Sequence, residues 1–80
     1  MKGTVSRISR RGLVAIKTED EDFSIVEVDT DAFDIDDEVF WKDATALGSG
    51  HVTNRTQREK VEVFFQNHNV SLEDLDRLLG

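Results

Sequence analysis

Apolar and polar residues alternate along most of this chain with the two-residue period of β-strands, and only its last ten positions change to a helical period. Lys2–Ile8 is short and β-prone, with Gly3 placed where a curling strand bends. Ser9-Arg10-Arg11-Gly12 predicts a tight connection, with Gly12 free to take a positive φ. In Leu13–Lys17 the alternation turns Val14 and Ile16 inward and leaves Leu13, Ala15 and Lys17 outward. Thr18-Glu19-Asp20-Glu21-Asp22 is too polar to be anything but a loop, and Phe23–Val28, aromatic and β-branched, is a third strand. This pair of apolar strands with its acidic turn organises the rest of the chain.

Asp29–Asp37 is acid-rich, with Phe33 and Ile35 pinning an extended loop to the core. Glu38–Lys42 contains Val39-Phe40-Trp41, a fourth strand. Side chains alternate across a strand, so Phe40 and Trp41 cannot both face inward and one of them stays near the surface. Ala44–Gly50 turns, and His51–Arg55 either continues that strand or starts another. After a polar turn at Thr56–Glu59, Lys60–Gln66 is the last strand, with Val61, Val63 and Phe65 on one face. Ser71 caps a helix whose acidic first turn suits the helix dipole, and Leu72, Leu75, Leu78 and Leu79 follow at helical spacing. The pattern predicts a mainly β fold: a small closed barrel of five or six strands over residues 1–70 and a short C-terminal α-helix within 71–80, in one domain.

Composition narrows the possibilities. Eighty residues, 38% of them hydrophobic, supply one small core and no second one. The absence of cysteine removes disulfides and thiolate chemistry. No apolar run reaches transmembrane length and Met1-Lys2-Gly3-Thr4 has no signal-peptide character, so the expectation is a soluble cytoplasmic protein that does not engage membranes. The net charge of −7 is unevenly spread. Lys2, Arg7, Arg10, Arg11 and Lys17 fall in a stretch without acids, whereas residues 19–43 hold twelve acids and only Lys42 as a base. Arg55, Arg58 and Lys60 form a second basic group. An acidic chain is a poor general binder of nucleic acid, but this segregation allows one positive face.

The opening half resembles a cold-shock domain, a five-stranded OB-fold barrel. Lys2-Gly3-Thr4-Val5 stands for that family's Lys-Gly-x-Val strand, and Gly12-Leu13-Val14-Ala15-Ile16 for its Gly-aromatic-Gly-aromatic-Ile strand. Glu19–Asp22, Phe23–Val28 and Asp36-Asp37-Glu38-Val39 follow its acidic loop, third strand and Gly-Asp-x-Val element, the last without the glycine. The resemblance implies an OB-fold-like barrel that binds single strands by stacking bases on aromatic side chains. The positions that would stack are Leu13 and Ala15, with Ile25 and Glu27 on the third strand, and none of these is aromatic. Stacking is worth about 1–3 kcal/mol per base, so most of that affinity is missing.

Other constellations are weaker. Asp29, Asp31, Asp34, Asp36, Asp37 and Glu38 do not keep the spacing of an EF-hand loop, since Phe33 and Asp34 fall where a ligand and a glycine are required. His51 and His68 have no third metal ligand in the pattern. The sequons at Asn54-Arg55-Thr56 and Asn69-Val70-Ser71 lack a secretion signal, and the serines lack a histidine pattern, so no catalytic, metal or cofactor site is expected. The leading expectation is non-enzymatic, weak binding of single-stranded RNA or DNA through Arg7, Arg10, Arg11, Lys17, Trp41, Lys42 and Phe64. The alternative is a protein partner docked on Leu13 and Ala15, or on Leu75 and Leu79 of the helix. A monomer is the default.

Overall fold

Six strands and one helix make up the structure, a computed structural model that describes residues 1–29 and 31–79. Thr30 of the acidic loop and Gly80, the last position of the 71–80 segment, lie outside the described residues. In chain order the elements are β1 (Lys2–Ile8), β2 (Leu13–Thr18), β3 (Phe23–Glu27), β4 (Glu38–Phe40), β5 (Gly48–Asn54), β6 (Glu59–Val70) and α1 (Leu72–Leu79). The strands close in the order β1-β2-β3-β6-β5-β4, with β4 returning to β1 and every neighbouring pair antiparallel. The mainly β barrel with a C-terminal helix is therefore as expected, and the strand count is six. The last strand runs further than its apolar pattern predicts, because β3 holds the polar segment Asn67–Val70 through Ile25↔Asn67 and Phe23↔Val70.

Apolar side chains form two layers. Val5, Val14, Ile16, Val26, Val39, Val52, Val61, Val63 and Phe65 fill the barrel, with Phe33 and Trp41 closing it. Gly3 faces this interior: a Cβ there would lie 2.5 Å from Ile16 Cγ2 and 2.7 Å from the Lys17 carbonyl oxygen, so the strand can curl only without a side chain. The second layer lies outside the barrel wall, where Ala15, Phe23, Ile25 and Val70 meet Leu75, with Leu13 and Leu79 against them. β2 and β3 are apolar on both faces because both are covered, one by the barrel interior and the other by α1.

The helix is held by this contact. Asp74 N–H donates to Ser71 Oγ at 3.3 Å, an N-terminal cap, and Glu73 and Asp74 stand in the first turn with Arg77 in the last. Eight residues are too few for an isolated helix in water, so docking of Leu75 supplies what local propensity lacks. A bulge in β1 adds to the attachment. Val5 pairs with Ile16 and Arg7 with Ala15, so Ser6 is an extra residue that turns Arg7 from the interior to the outer wall. There Arg7 forms an ion pair with Asp76 of α1.

The acidic crossover from β3 to β4 is tied down by amides. Asp37, buried, accepts hydrogen bonds at one carboxylate oxygen from Asn54 Nδ2 (2.7 Å), Gln57 Nε2 (2.7 Å) and the Asp34 N–H (2.9 Å). Burial by itself would raise the pKa of Asp37, but these three donors outweigh it and hold the carboxyl below its ordinary value.

Candidate functional site

The seven residues expected to bind nucleic acid do not share one face. Trp41 is 3% exposed and packs against Phe65, with ring centroids 6.1 Å apart, so it belongs to the core and cannot meet a ligand. Of the adjacent aromatic pair it is Phe40 that stays half-buried at the surface. Arg7 is engaged with Asp76 beside the helix and borders one depression with Arg10 and Arg11, which lie exposed at the β1–β2 turn. Phe64 is 47% exposed but sits opposite Glu27 of β3 and shares a depression with Asp29, Glu59 and Glu62, an acidic setting that repels phosphate. Lys17 and Lys42 remain, both exposed, on another side of the barrel.

The expected protein-docking face is occupied by the chain itself. Ala15 and Leu75 are fully buried against each other's cluster, and Leu13 and Leu79 pack half-buried on it. Ala15 was expected to point outward and does, but α1 covers it. The same cover lies over Ile25, so the wall on which the cold-shock resemblance would stack bases is closed by the C-terminal helix. The sequence holds the apolar doublet Leu13/Ala15 and the leucine spacing of the helix, yet nothing local says that the two meet.

A different face gathers charge that the sequence had scattered. In β1, Lys2 and Thr4 point outward on either side of inward Gly3, and pairing brings Lys17 opposite Thr4, Phe40 opposite Lys2, and Thr53 opposite Phe40. Lys60 of β6 lies opposite Thr53. Lys2, Phe40, Thr53 and Lys60 thus form one row across four strands, with Lys17 and Thr4 in the row beside it. Arg55 follows β5, its N–H donated to the Glu38 carbonyl at 2.8 Å, and its guanidinium lies 4.9 Å from the centre of the Phe40 ring. Such cation–π contact leaves the outer plane of the guanidinium free for a second stacked group. Two shallow depressions share this face. One, of about 240 Å³, is bounded by Lys2, Lys17 and Arg55 with Glu19 and Glu38, and the other, of about 340 Å³, by Phe40, Lys42, His51 and Lys60 with Asp43.

Lys2, Lys17, Lys42, Arg55 and Lys60 are all exposed and, among the described residues, none lies within ion-pair distance of a carboxylate. Three carboxylates share their face, so it carries a positive balance on a chain of charge −7.

One pair looks chemically active and is not accessible. His68 Nδ1 lies 2.8 Å from Ser24 Oγ, while its Nε2 faces the Ala46 carbonyl oxygen at 2.5 Å and so carries the ring proton. Ser24 is 2% exposed and turned into the barrel, and His68 stacks on Phe65 with centroids 5.7 Å apart. The pair fastens the loop before β5 to the barrel, and no substrate atom can approach the hydroxyl. Among the described residues no three His, Asp or Glu side chains converge on a point that would hold a metal ion, and no helix is long and apolar enough to cross a membrane. No protein-family model, no curated protein and no solved structure matches this chain.

Proposed function

We propose that the protein is a non-enzymatic cytoplasmic binding module that takes single-stranded RNA or DNA weakly on the β1–β4–β5 face. The observation that carries this reading is the grouping of four exposed lysines with the Phe40–Arg55 stack, none of the five cations being ion-paired among the described residues. Phosphates would be met by Lys2, Lys17, Lys42 and Lys60, and a base would stack on the Arg55 plane, since unpaired bases stack on guanidinium planes as well as on aromatic rings. An OB-fold-like barrel would then present a ligand on a wall other than the one suggested by the cold-shock resemblance.

Salt dependence tests it. Each neutralised phosphate of a single strand contributes about −0.7 to the slope of log affinity against log salt, so four contacts give roughly −2.8 and about a fiftyfold loss between 50 and 200 mM salt. Titration of fluorescein-labelled oligo-dT and oligo-U by anisotropy should show this slope for the unaltered protein. Lys17→Glu with Arg55→Glu should bring it near −2, whereas Arg11→Glu, at the other end of β1, should leave it unchanged. Equal slopes for all three proteins, or loss only in Arg11→Glu, would remove the assignment.

A further inference from the structure

β6 is longer than the strand that flanks it. Its pairing with β3 ends at Glu27↔Phe64, while its pairing with β5 continues down to Asn54↔Glu59. Glu59–Val63 is therefore hydrogen-bonded on one side only. Beyond Glu27 the chain is drawn away, since Val28 N–H donates to the Gly12 carbonyl at 2.9 Å, and among the described residues no backbone or side-chain group bonds to that edge of β6. Every second residue of an edge turns its N–H and C=O outward, which is a template for another strand. A depression of about 640 Å³ runs along it between β6 and the start of the crossover.

The surroundings select the strand that would fit. Glu27, Asp29, Glu59 and Glu62 border the depression against a single cation, Lys60, and none of the four is ion-paired among the described residues. Phe64, 47% exposed at the point where β3 stops, offers an apolar contact to a side chain of the incoming strand. A second copy of this protein is a poor occupant, because it would bring the same border of four carboxylates against one lysine to both sides of the new pairing, and like charges brought together destabilise a sheet. We propose that the Glu59–Val63 edge of β6 accepts an extended lysine- or arginine-rich peptide as an added strand, with an apolar residue of that peptide over Phe64. Main-chain hydrogen bonds supply the attachment and the carboxylates supply the choice of partner. This edge meets the cationic face only at Lys60 and does not depend on the nucleic-acid reading.

The probe is a labelled strand-length peptide of about six residues in which lysine alternates with valine. Anisotropy should show saturable binding, and amide exchange measured by NMR should slow within Glu59–Val63. Methylating alternate peptide nitrogens keeps the charge and removes donors, and should weaken binding by about tenfold or more. Glu27→Lys with Glu62→Lys, both at exposed positions, should weaken it by about tenfold with an unchanged circular dichroism spectrum. Lys17→Glu should have no effect on the peptide. Equal binding of the methylated peptide, or no slowing of the Glu59–Val63 amides, would reduce the interaction to diffuse charge attraction and overturn the proposal. Concentration-dependent dimerisation that protects the same amides would overturn it too, by giving the edge to a second copy.

Discussion

Replacing Leu75 by alanine removes the one fully buried side chain of α1 and tests whether the helix is held by packing or by its own propensity. Leu75 is 0% exposed and touches the Ala15, Phe23, Ile25 and Val70 layer, so truncation forfeits the burial of the side chain and leaves a void. Leucine-to-alanine changes of this kind cost about 2–5 kcal/mol. The upper part of that range requires a helix that stays docked over an empty cavity. Here the remaining attachments are Leu79, half-buried, and the Arg7–Asp76 pair, whose side chains are 42% and 75% exposed and so contribute about 0–1 kcal/mol. The helix is thus expected to come away, and the loss is capped by its docking free energy, roughly 2–3 kcal/mol. A domain of this size has about 4–12 kcal/mol of stability in all, and each kcal/mol moves the midpoint by about 4–8 °C, so the melting temperature should fall by roughly 10–20 °C. Urea and thermal unfolding followed by circular dichroism measure the loss, and amide exchange reports whether 72–79 frays while the barrel persists. Leu72→Ala, at a position 62% exposed, is the control and should stay within about 0.5 kcal/mol. A Leu75→Ala loss below about 1 kcal/mol, or helix amides as protected as before, would refute docking as the source of the helix.

Three other outcomes follow from single positions. Gly12 has φ 82°, and a Cβ there would lie 2.7 Å from the Val28 carbonyl oxygen, so Gly12→Ala should lower stability by about 2 kcal/mol or more; an unchanged urea midpoint would disprove the strain. Asp37 is held below its ordinary pKa in the fold, so on acidification the unfolded chain takes up this proton first. Its contribution is present above about pH 4 and is lost as pH falls through the folded pKa, and Asp37→Asn should flatten that part of the stability–pH curve; parallel curves would contradict the assignment. Trp41 should emit at short wavelength, resist quenching by iodide, and stay silent when oligo-dT is added, whereas an exposed-type spectrum would move it out of the core.

Much of the fold is written in local signals. Alternation in Leu13–Lys17 and Lys60–Phe65, the acidic turn after Thr18, and the Ser71 cap ahead of spaced leucines each depend on neighbours within a few residues, so strands and helix are legible in order. The candidate site was not. Which of Phe40 and Trp41 faces inward depends on how β4 is paired, since a shift by one residue exchanges the two faces of a strand. The bulge at Ser6 alone decides that Arg7 joins the helix rather than the interior. The two irregularities in the β3–β6 pairing likewise bring His68 to Ser24 and Val70 under the helix.

Arg7, Arg10 and Arg11 are neighbours along the chain, and the structure leaves them as a turn and an ion pair. Lys2, Lys17, Arg55 and Lys60 are scattered, and closure of β4 onto β1 makes them one face. Leu13 and Ala15 read as an open patch because the covering helix lies more than fifty residues away. Where the chain is extended, where it turns and where it coils can be read from short stretches, because those preferences act between neighbours. Which walls are covered and which charges stand together emerge on folding. Both depend on strand order and register, and those are set by long-range pairing once loop closure has been met.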